Sequence, residues 1–488
     1  MSANQSNPQY LIDTHAHLDD PKFEKDIDDV IKRAKDAGLE HIITVGCLRE
    51  KTGLKKIIEL TEKYEMVYAA LGIHPHDAKD ISPSPFPLPY GERGMFLDEI
   101  KELTKKNKVV AIGETGLDYY YEHSPKNIQK DVFIKQINIA RELKLPLIIH
   151  SREAQNDTLD ILKQENVRDI GGVVHCFSGT YEMAKKILDM GLYISFTGVA
   201  TFPKAENIHE LVRKIPIEML LVETDCPYLA PEPHRWKRNE PSYVKFVAER
   251  LAELKKLSYG DAARITTLNA KKLFSIGINK PEAKIAYPIR NSLYLNITNR
   301  CTNICTFCAK HAPAGFKRGS NDYTVKGHYL KLNAEPSPQE ILRAIGPNPT
   351  KYDEIVFCGF GEPLIRLDVV KEVGLLLKKM GCKIRIDTDG LANLVHGKNC
   401  LPELMFADVI SVSMNAPDSE TYQKLIKTPF KDKAFPAILW FLKEAKRYIP
   451  KVVATVVAAP GLDIEACKRL AEDEIGVGFR IREYNVVG

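Results

Sequence analysis

Along the first half of the chain, short runs of β-branched and other apolar residues alternate with longer stretches whose apolar residues recur at helical spacing. The runs fall at 10–13, 41–45, 67–72, 109–113, 146–149, 172–174, 192–196 and 220–223; segments such as 23–37, 126–143 and 181–190 carry the helical pattern between them. Eight strands alternating with helices predict a closed parallel (β/α)8 TIM barrel, because parallel neighbours need a crossover and a helix supplies it. Two further helical stretches, 241–257 and 259–274, close this series.

A second series follows. Residues 277–288 hold two prolines and mixed charge, which read as a connection rather than an element. Strand-like runs resume at 293–298, 354–358, 383–387, 409–414, 452–457 and 479–484, with helical stretches such as 338–345 and 437–448 between them. Six strands predict a (β/α)6 partial barrel or open sheet. The chain is therefore read as an α/β protein with a barrel domain at 1–280, a linker at 281–291 and a partial barrel at 292–488.

Composition narrows this little. Hydrophobic residues at 44% and charged residues at 27% are globular values, and a net charge of +5 over 488 residues permits an anionic substrate without requiring nucleic acid. No apolar run reaches the roughly 18 residues that span a bilayer, so no membrane partner is expected. The start, Met-Ser-Ala-Asn-Gln-Ser-Asn-Pro, lacks a basic segment and an apolar one, and the ten cysteines are scattered. A disulfide framework fits poorly, and the cytoplasm is the expected location.

In a barrel of this kind the reactive groups come from the carboxyl ends of the strands. His15 and His17 close the first strand, two apart and so on one side; Glu114 follows the fourth, His150 ends the fifth, His175 the sixth and Asp225 the eighth. Four imidazoles and two carboxylates at one mouth predict a two-metal site, with zinc, manganese or magnesium as candidate ions. Glu114 is placed to bridge the ions, and Asp225 to ligate one and take a proton from the attacking water.

These residues lie in dense local motifs: Asp13-Thr14-His15-Ala16-His17, Gly72-Ile73-His74-Pro75-His76, Ile112-Gly113-Glu114-Thr115-Gly116-Leu117-Asp118, Ile149-His150-Ser151-Arg152, His175-Cys176-Phe177-Ser178-Gly179 and Glu223-Thr224-Asp225-Cys226-Pro227. Residues 10–275 thereby resemble the TatD family of metal-dependent hydrolases in the amidohydrolase superfamily. The resemblance implies two divalent ions held by His15, His17, Glu114, His150, His175 and Asp225, and phosphodiester hydrolysis of the deoxyribonuclease type. It also implies anionic-substrate contacts from His74, His76 and Arg152, although both histidines could equally be structural. Arg238 and Asn239 also look family-like, without an assigned role.

Past the linker stand Cys301, Cys305 and Cys308 in the spacing Cys-x3-Cys-x2-Cys. Three thiolates can hold three irons of a 4Fe-4S cluster and leave the fourth open, whereas zinc would ask for a further ligand and His311 follows awkwardly. With Phe307 before the last cysteine and Gly359-Phe360-Gly361-Glu362-Pro363 after the second strand, residues 292–488 resemble the radical SAM superfamily. The resemblance implies S-adenosylmethionine on the open iron, its amino group held by Glu362 and backbone at Gly359 and Gly361, and reductive cleavage to a 5′-deoxyadenosyl radical. Ser411, Ser413 and Asn415 could reach its ribose, and Asp389 is a further polar candidate, although such residues also cap helices. The stretch 310–332, with Lys317 and Arg318, reads as a solvated lid or a substrate-ordering loop. Cys358, Cys382, Cys400 and Cys467 read as small core residues.

The expectation is a bifunctional enzyme acting in nucleic-acid or nucleotide processing, its radical half served by an electron donor such as flavodoxin or ferredoxin. The alternative makes the barrel a substrate-binding module, or a tRNA deacylase, for a radical modification enzyme. Oligomeric state is not legible in the sequence.

Overall fold

The computed structural model describes residues 11–47, 53–80, 95–106, 108–277, 282–308, 310 and 323–482. The chain divides into two compact units, Met1–Asn279 and Lys280–Gly488. Among the described residues no helix is long and apolar enough to cross a membrane.

In the first unit eight parallel strands follow one another in sequence order: β1 (Leu11–Ala16), β2 (Leu39–Cys47), β3 (Val67–Gly72), β4 (Val109–Asp118), β5 (Leu147–Arg152), β6 (Gly172–Val174), β7 (Tyr193–Phe196) and β8 (Leu220–Val222). The ring closes just past β8, where the Asp225 N–H donates to the His15 carbonyl at 2.9 Å and the His17 N–H to that of Cys226 at 2.8 Å. One end of the lumen is filled: Ile12, Ile43, Ile148, Val173 and Leu221 pack with Ala270 and Phe274 of the helix Tyr259–Phe274. Polar residues are thereby left to the other end, where the strands finish.

β4 outruns the predicted 109–113. Its polar tail breaks the apolar run, yet pairing continues, with Gly116 opposite His150 and Asp118 opposite Arg152. Gly116 permits this, since at its φ of 138° a Cβ would stand 2.0 Å from the His150 carbonyl oxygen. Glu114 is therefore inside a strand rather than in the loop after it.

The helix Lys126–Leu143 buries Val132, Phe133 and Ile137, and on the same side Gln129 and Gln136, seven residues apart. Gln136 accepts from the Ile73 N–H at 2.7 Å and donates to the Ile73 carbonyl and Thr115 Oγ1 at 3.0 and 2.6 Å. Gln129 bonds both backbone groups of Asp118, at 2.8 and 2.9 Å. Two buried carboxamides thus fasten the ends of β3 and β4 where His74 and Asp118 leave them.

The second unit is an open sheet of seven strands in the order Gly478–Arg482, Lys451–Val457, Val409–Ser413, Ile384–Thr388, Glu354–Phe357, Ser292–Leu295 and Ala286–Ile289. The first six are mutually parallel and match the six predicted runs; residues 483 and 484 of the last run lie outside the described residues. Ala286–Ile289 is antiparallel to Ser292–Leu295 and corrects the linker reading of 281–291. Alternation places Tyr287 and Ile289 inward at 2% and 6% exposure, and the edge position tolerates Pro288, which has no N–H to pair. Helices cover one face, with Val370, Val373, Ile438 and Phe441 packed in one core with Ile355, Phe357, Ile386 and Val412.

Candidate metal centre and cysteine loop

His15 and His17, two apart at the end of β1, bring their Nε2 atoms within 3.2 Å of each other. Between them and the imidazoles of β5 and β6 lies Glu114, only 3% exposed. Its Oε2 stands 3.4 Å from His15 Nε2 and 4.0 Å from that of His17; its Oε1 stands 2.7 Å from His175 Nε2, 2.8 Å from His150 Nδ1 and 3.5 Å from His74 Nε2. One carboxylate oxygen thus faces each group of imidazoles. Asp225 Oδ1 completes the first group, 3.3 Å from His17 Nε2 and 3.7 Å from His15 Nε2. Three sets could hold a cation, His15/Glu114/His175, His15/His17/Asp225 and His74/Glu114/His150, each with donor atoms within 4.8 Å of one another.

The electrostatics fit such a cation. Among the described residues, imidazoles are the only basic side chains within 4 Å of Glu114 or Asp225. Burial raises the Glu114 carboxyl, but His175, His74, His15 and His150 outweigh it and hold the group well below its usual range. Burial pushes the His74 imidazole down to about 4, leaving a neutral donor. A buried Glu114 and a half-buried Asp225 facing five imidazoles are a donor set built for positive charge. Burial lowers His17, His150 and His175, but the facing carboxylates outweigh it and raise all three, and a cation would replace those protons.

The surrounding layer was less legible. Asp118 Oδ2 stands 3.1 Å from His150 Nε2 and 3.0 Å from His76 Nε2, and its Oδ1 accepts from the N–H groups of Tyr120 and Tyr121 at 3.0 Å each. It fixes which face His150 turns to Glu114. Glu223 stands 3.7 Å from His175 Nδ1 and accepts the Cys176 N–H at 2.6 Å. Asp13 ties the ends of β1 and β8 together, accepting the N–H and hydroxyl of Thr224 at 2.9 and 2.6 Å; burial raises its carboxyl to about 8.

Of the three expected substrate contacts, His74 is buried against Glu114 and stands with the candidate metal donors, because Gln136 pins the loop that carries it. His76 is engaged with Asp118. Arg152 is exposed, its guanidinium 4.2 Å from the centre of the Tyr120 ring and 4.7 Å from that of Tyr121, and both tyrosines are about half exposed. The tyrosines went unassigned; the aromatic run 119–121 directly after Asp118 was the available signal.

Arg238 and Asn239 are fasteners. The Asn239 amide donates to the carbonyls of Thr224 and Tyr228 at 2.8 and 2.6 Å, holding the loop that carries Asp225. Arg238 donates to both Asp26 carboxylate oxygens at 2.7 and 2.6 Å. That hydrogen bond is the chief reason the Asp26 carboxyl lies below its usual value. A depressed folded value stabilises above the unfolded pKa of about 4 and loses that contribution as pH falls through the folded one. Arg238→Gln is therefore expected to lower the melting temperature at pH 7 and to cost progressively less below about pH 4. Equal deficits at pH 3 and pH 7 would show that the ion pair is not the cause.

In the second unit the short strand Ile304–Cys305 pairs antiparallel with Ile426–Lys427, which presents Cys301, Cys305 and Cys308 as half-buried cysteines outside any disulfide. The Cys308 N–H donates to the Cys305 carbonyl at 3.1 Å and the Thr306 N–H to that of Leu425 at 2.9 Å. Burial, then Asp389, pushes the Cys301 thiol to about 12, and burial raises Cys305 well above its usual value. A bound cationic centre reverses that preference, because its ligands are thiolates. Phe307 is half-buried against the core.

The other expected cofactor contacts have partners within the chain. Glu362 accepts from the Leu364 N–H, Thr388 Oγ1 and the Asp389 N–H at 3.0, 2.8 and 2.6 Å, so it caps the turn Pro363–Arg366 and joins two strand ends. A Cβ on Gly359 would meet Asn296 Oδ1 at 2.4 Å, and one on Gly361 the Thr298 carbonyl at 2.2 Å. Both glycines therefore answer to the chain's own close approach. Ser413 Oγ accepts from Arg482 at 3.1 Å, and Asn415 Oδ1 from the Val457 N–H at 3.1 Å. Asp389 accepts from the Thr302 hydroxyl, tying the cysteine loop to the end of the strand Ile384–Thr388. Lys317 and Arg318 lie outside the described residues, while Cys382, Cys400 and Cys467 are buried in the core.

Comparison with known proteins follows the division into units. Residues 12–275 match the TatD-related DNases, and residues 295–473 the radical SAM superfamily. The metal-dependent hydrolase YabD of Bacillus subtilis (strain 168) is 47% identical over 266 residues, 54% of this chain and 99% of its own length. The 3′-5′ ssDNA/RNA exonuclease TatD of Shigella flexneri serotype 5b (strain 8401) is 34% identical over 272 residues, 54% of this chain and 99% of its own. Among solved structures, the TatD homologue YjjV of Escherichia coli K12 has a TM-score of 0.50 at 29% identity, covering 55% of this chain and 100% of that one.

Proposed function

Because residues 12–275 make this chain a member of the TatD-related DNase family and a radical SAM domain follows at 295–473, we propose a bifunctional enzyme in nucleic-acid or nucleotide processing. The first unit hydrolyses phosphodiester bonds, and the observation that carries this reading is Glu114, with one oxygen toward each group of imidazoles. His15, His17, Glu114 and Asp225 would hold one divalent ion, and Glu114, His150 and His175 the other. Two such ions, when bound, supply Lewis acidity toward a phosphoryl oxygen and lower the pKa of water.

The chain's own residues do the rest. Asp225, half-buried at the rim of the donor set, takes the proton of the attacking water. Asp118 keeps His150 aimed at Glu114. Arg152 meets the anionic backbone, and Tyr120 and Tyr121 offer exposed rings on which bases stack. The relative named as an ssDNA/RNA exonuclease supports a single-stranded substrate.

In the second unit Cys301, Cys305 and Cys308 would hold a 4Fe-4S cluster, which with S-adenosylmethionine supplies radical chemistry; flavodoxin or ferredoxin would deliver the electron. Glu362, Thr388, Asp389 and Thr302 form the bonded frame beneath that loop.

The test takes metal-loaded, cluster-reconstituted protein and measures cleavage of a single-stranded oligonucleotide and release of 5′-deoxyadenosine. Asp225→Asn is expected to lower oligonucleotide cleavage about 100-fold or more and to leave 5′-deoxyadenosine formation intact. Hydrolysis by that variant at the unaltered rate would remove the first half of the reading; no 5′-deoxyadenosine from fully reconstituted protein would remove the second.

A further inference from the structure

The helix-covered face of the second unit's sheet is apolar, so alternation sends the intervening residues to the opposite face. Arg480 and Arg482, two apart on the edge strand Gly478–Arg482, share that face and are exposed. Both reach back across Lys451–Val457 to the strand beyond it. Arg480 Nη2 donates to Ser411 Oγ at 3.0 Å, and Arg482 Nη2 to Ser413 Oγ at 3.1 Å. Each guanidinium is laid over the sheet by a neutral hydroxyl.

Arg385 on the same face differs. Its Nη1 stands 3.1 Å from Glu354 Oε1 and its Nε 3.1 Å from Asp387 Oδ1, so its charge is matched. Among the described residues no carboxylate lies within 4.0 Å of Arg480 or Arg482. Asp387 on the same face acts on both guanidiniums, but its Oδ1 already stands 3.1 Å from Arg385 Nε. Pinned guanidiniums with spare N–H groups and no carboxylate within 4.0 Å are therefore an anion site in waiting. Same-face neighbours on a strand stand about 6.5–7 Å apart, a span over which two long side chains converge on one group.

Taking the second unit as the radical half proposed above, we propose that Arg480 and Arg482 form the subsite for the phosphate of its substrate, a nucleoside 5′-phosphate. A carboxylate has two oxygens and fills one fork, whereas a terminal phosphate offers three and uses both. Nucleoside phosphates are also the class of product that phosphodiester hydrolysis releases.

The test titrates full-length, cluster-reconstituted protein with deoxyadenosine 5′-monophosphate, deoxyadenosine and S-adenosylhomocysteine, using calorimetry. Glu114→Gln is present throughout, so that the first unit's mouth contributes least. The monophosphate is expected to bind about tenfold or more tightly than the nucleoside, and Arg480→Gln or Arg482→Gln to remove most of that preference. Lysine at either position restores part of it, as a point charge does, and S-adenosylhomocysteine affinity stays unchanged. Should a glutamine variant fail to fold, Ser411→Ala and Ser413→Ala, which release the guanidiniums, are expected to weaken the preference several-fold.

A preference that survives in the double glutamine variant overturns the proposal. So does an equal loss of S-adenosylhomocysteine binding, which assigns the arginines to that ligand's carboxylate. Displacement of the monophosphate by succinate as readily as by inorganic phosphate removes the assignment to phosphate. Lower iron content with the preference retained makes the arginines partners of the cluster. If no 5′-deoxyadenosine forms while the preference holds, the subsite stands and the radical reading falls.

Discussion

Glu114→Gln is expected to lower hydrolysis by the first unit about 1,000-fold or more and to leave the chain folded. Glutamine keeps the shape of the side chain, so the fully buried end of β4 still packs. The loss is electrical. Glu114 Oε1 faces His150 and His175 at 2.8 and 2.7 Å while Oε2 faces His15 at 3.4 Å, so a single charge serves both halves of the donor set. An amide carries no charge, and its NH2 end offers no lone pair to a cation. Asp225 alone would then balance what two carboxylates now share. Losing about 4 kcal/mol of transition-state stabilisation corresponds to the stated factor. Mass spectrometry of the metals in purified protein, paired with oligonucleotide hydrolysis, checks both parts. Retention of two ions per chain, or activity within tenfold of the parent, would remove Glu114 from the centre of the site.

That His15, His17, Glu114, His150, His175 and Asp225 converge follows from two constraints that coincide in the sequence, residue types that ligate metals and a topology that collects strand ends at one mouth. His74, expected among the substrate contacts, joins them in space. What escaped depends on reach. Gln129 and Gln136 look like polar interruptions of an apolar helix face, and only the packed helix directs their amides to Asp118 and Ile73. Asp118 seemed to lie beyond its strand, because the pattern that marks strands ends at Gly113; the pairing of Gly116 with His150 carries β4 on and makes Asp118 a neighbour of His150.

In the second unit the six parallel strands were legible and their polar residues were not. Ser413 and Asn415 alternate as a ligand-facing pair would, yet their partners, Arg482 and Val457, lie 69 and 42 residues away in the chain. Residues 286–289 concealed a strand because Pro288 signals a break everywhere except at an edge.

The second large effect concerns Cys305. Cys305→Ala is expected to bring 5′-deoxyadenosine formation to background, a fall of about 100-fold or more, and iron after reconstitution from about four per chain to below one. Cys305 is the middle thiol of the three and lies in a strand of two residues whose backbone is paired. Two thiols at Cys301 and Cys308 leave two irons without a protein ligand. The loop itself survives the change, since its pairing uses the backbone: Ile304 opposite Lys427, Cys305 opposite Ile426, and the Cys308 N–H on the Cys305 carbonyl. Alanine also removes a thiol that burial holds in its protonated form, so the apoprotein loses little. Hydrolysis by the first unit, whose donors all lie within residues 15–225, is expected to continue at the parent rate. Iron analysis, product chromatography and oligonucleotide cleavage on one preparation read all three. A variant that still makes 5′-deoxyadenosine would exclude these cysteines as the cluster ligands, and parallel loss of hydrolysis would show that the two halves do not act independently.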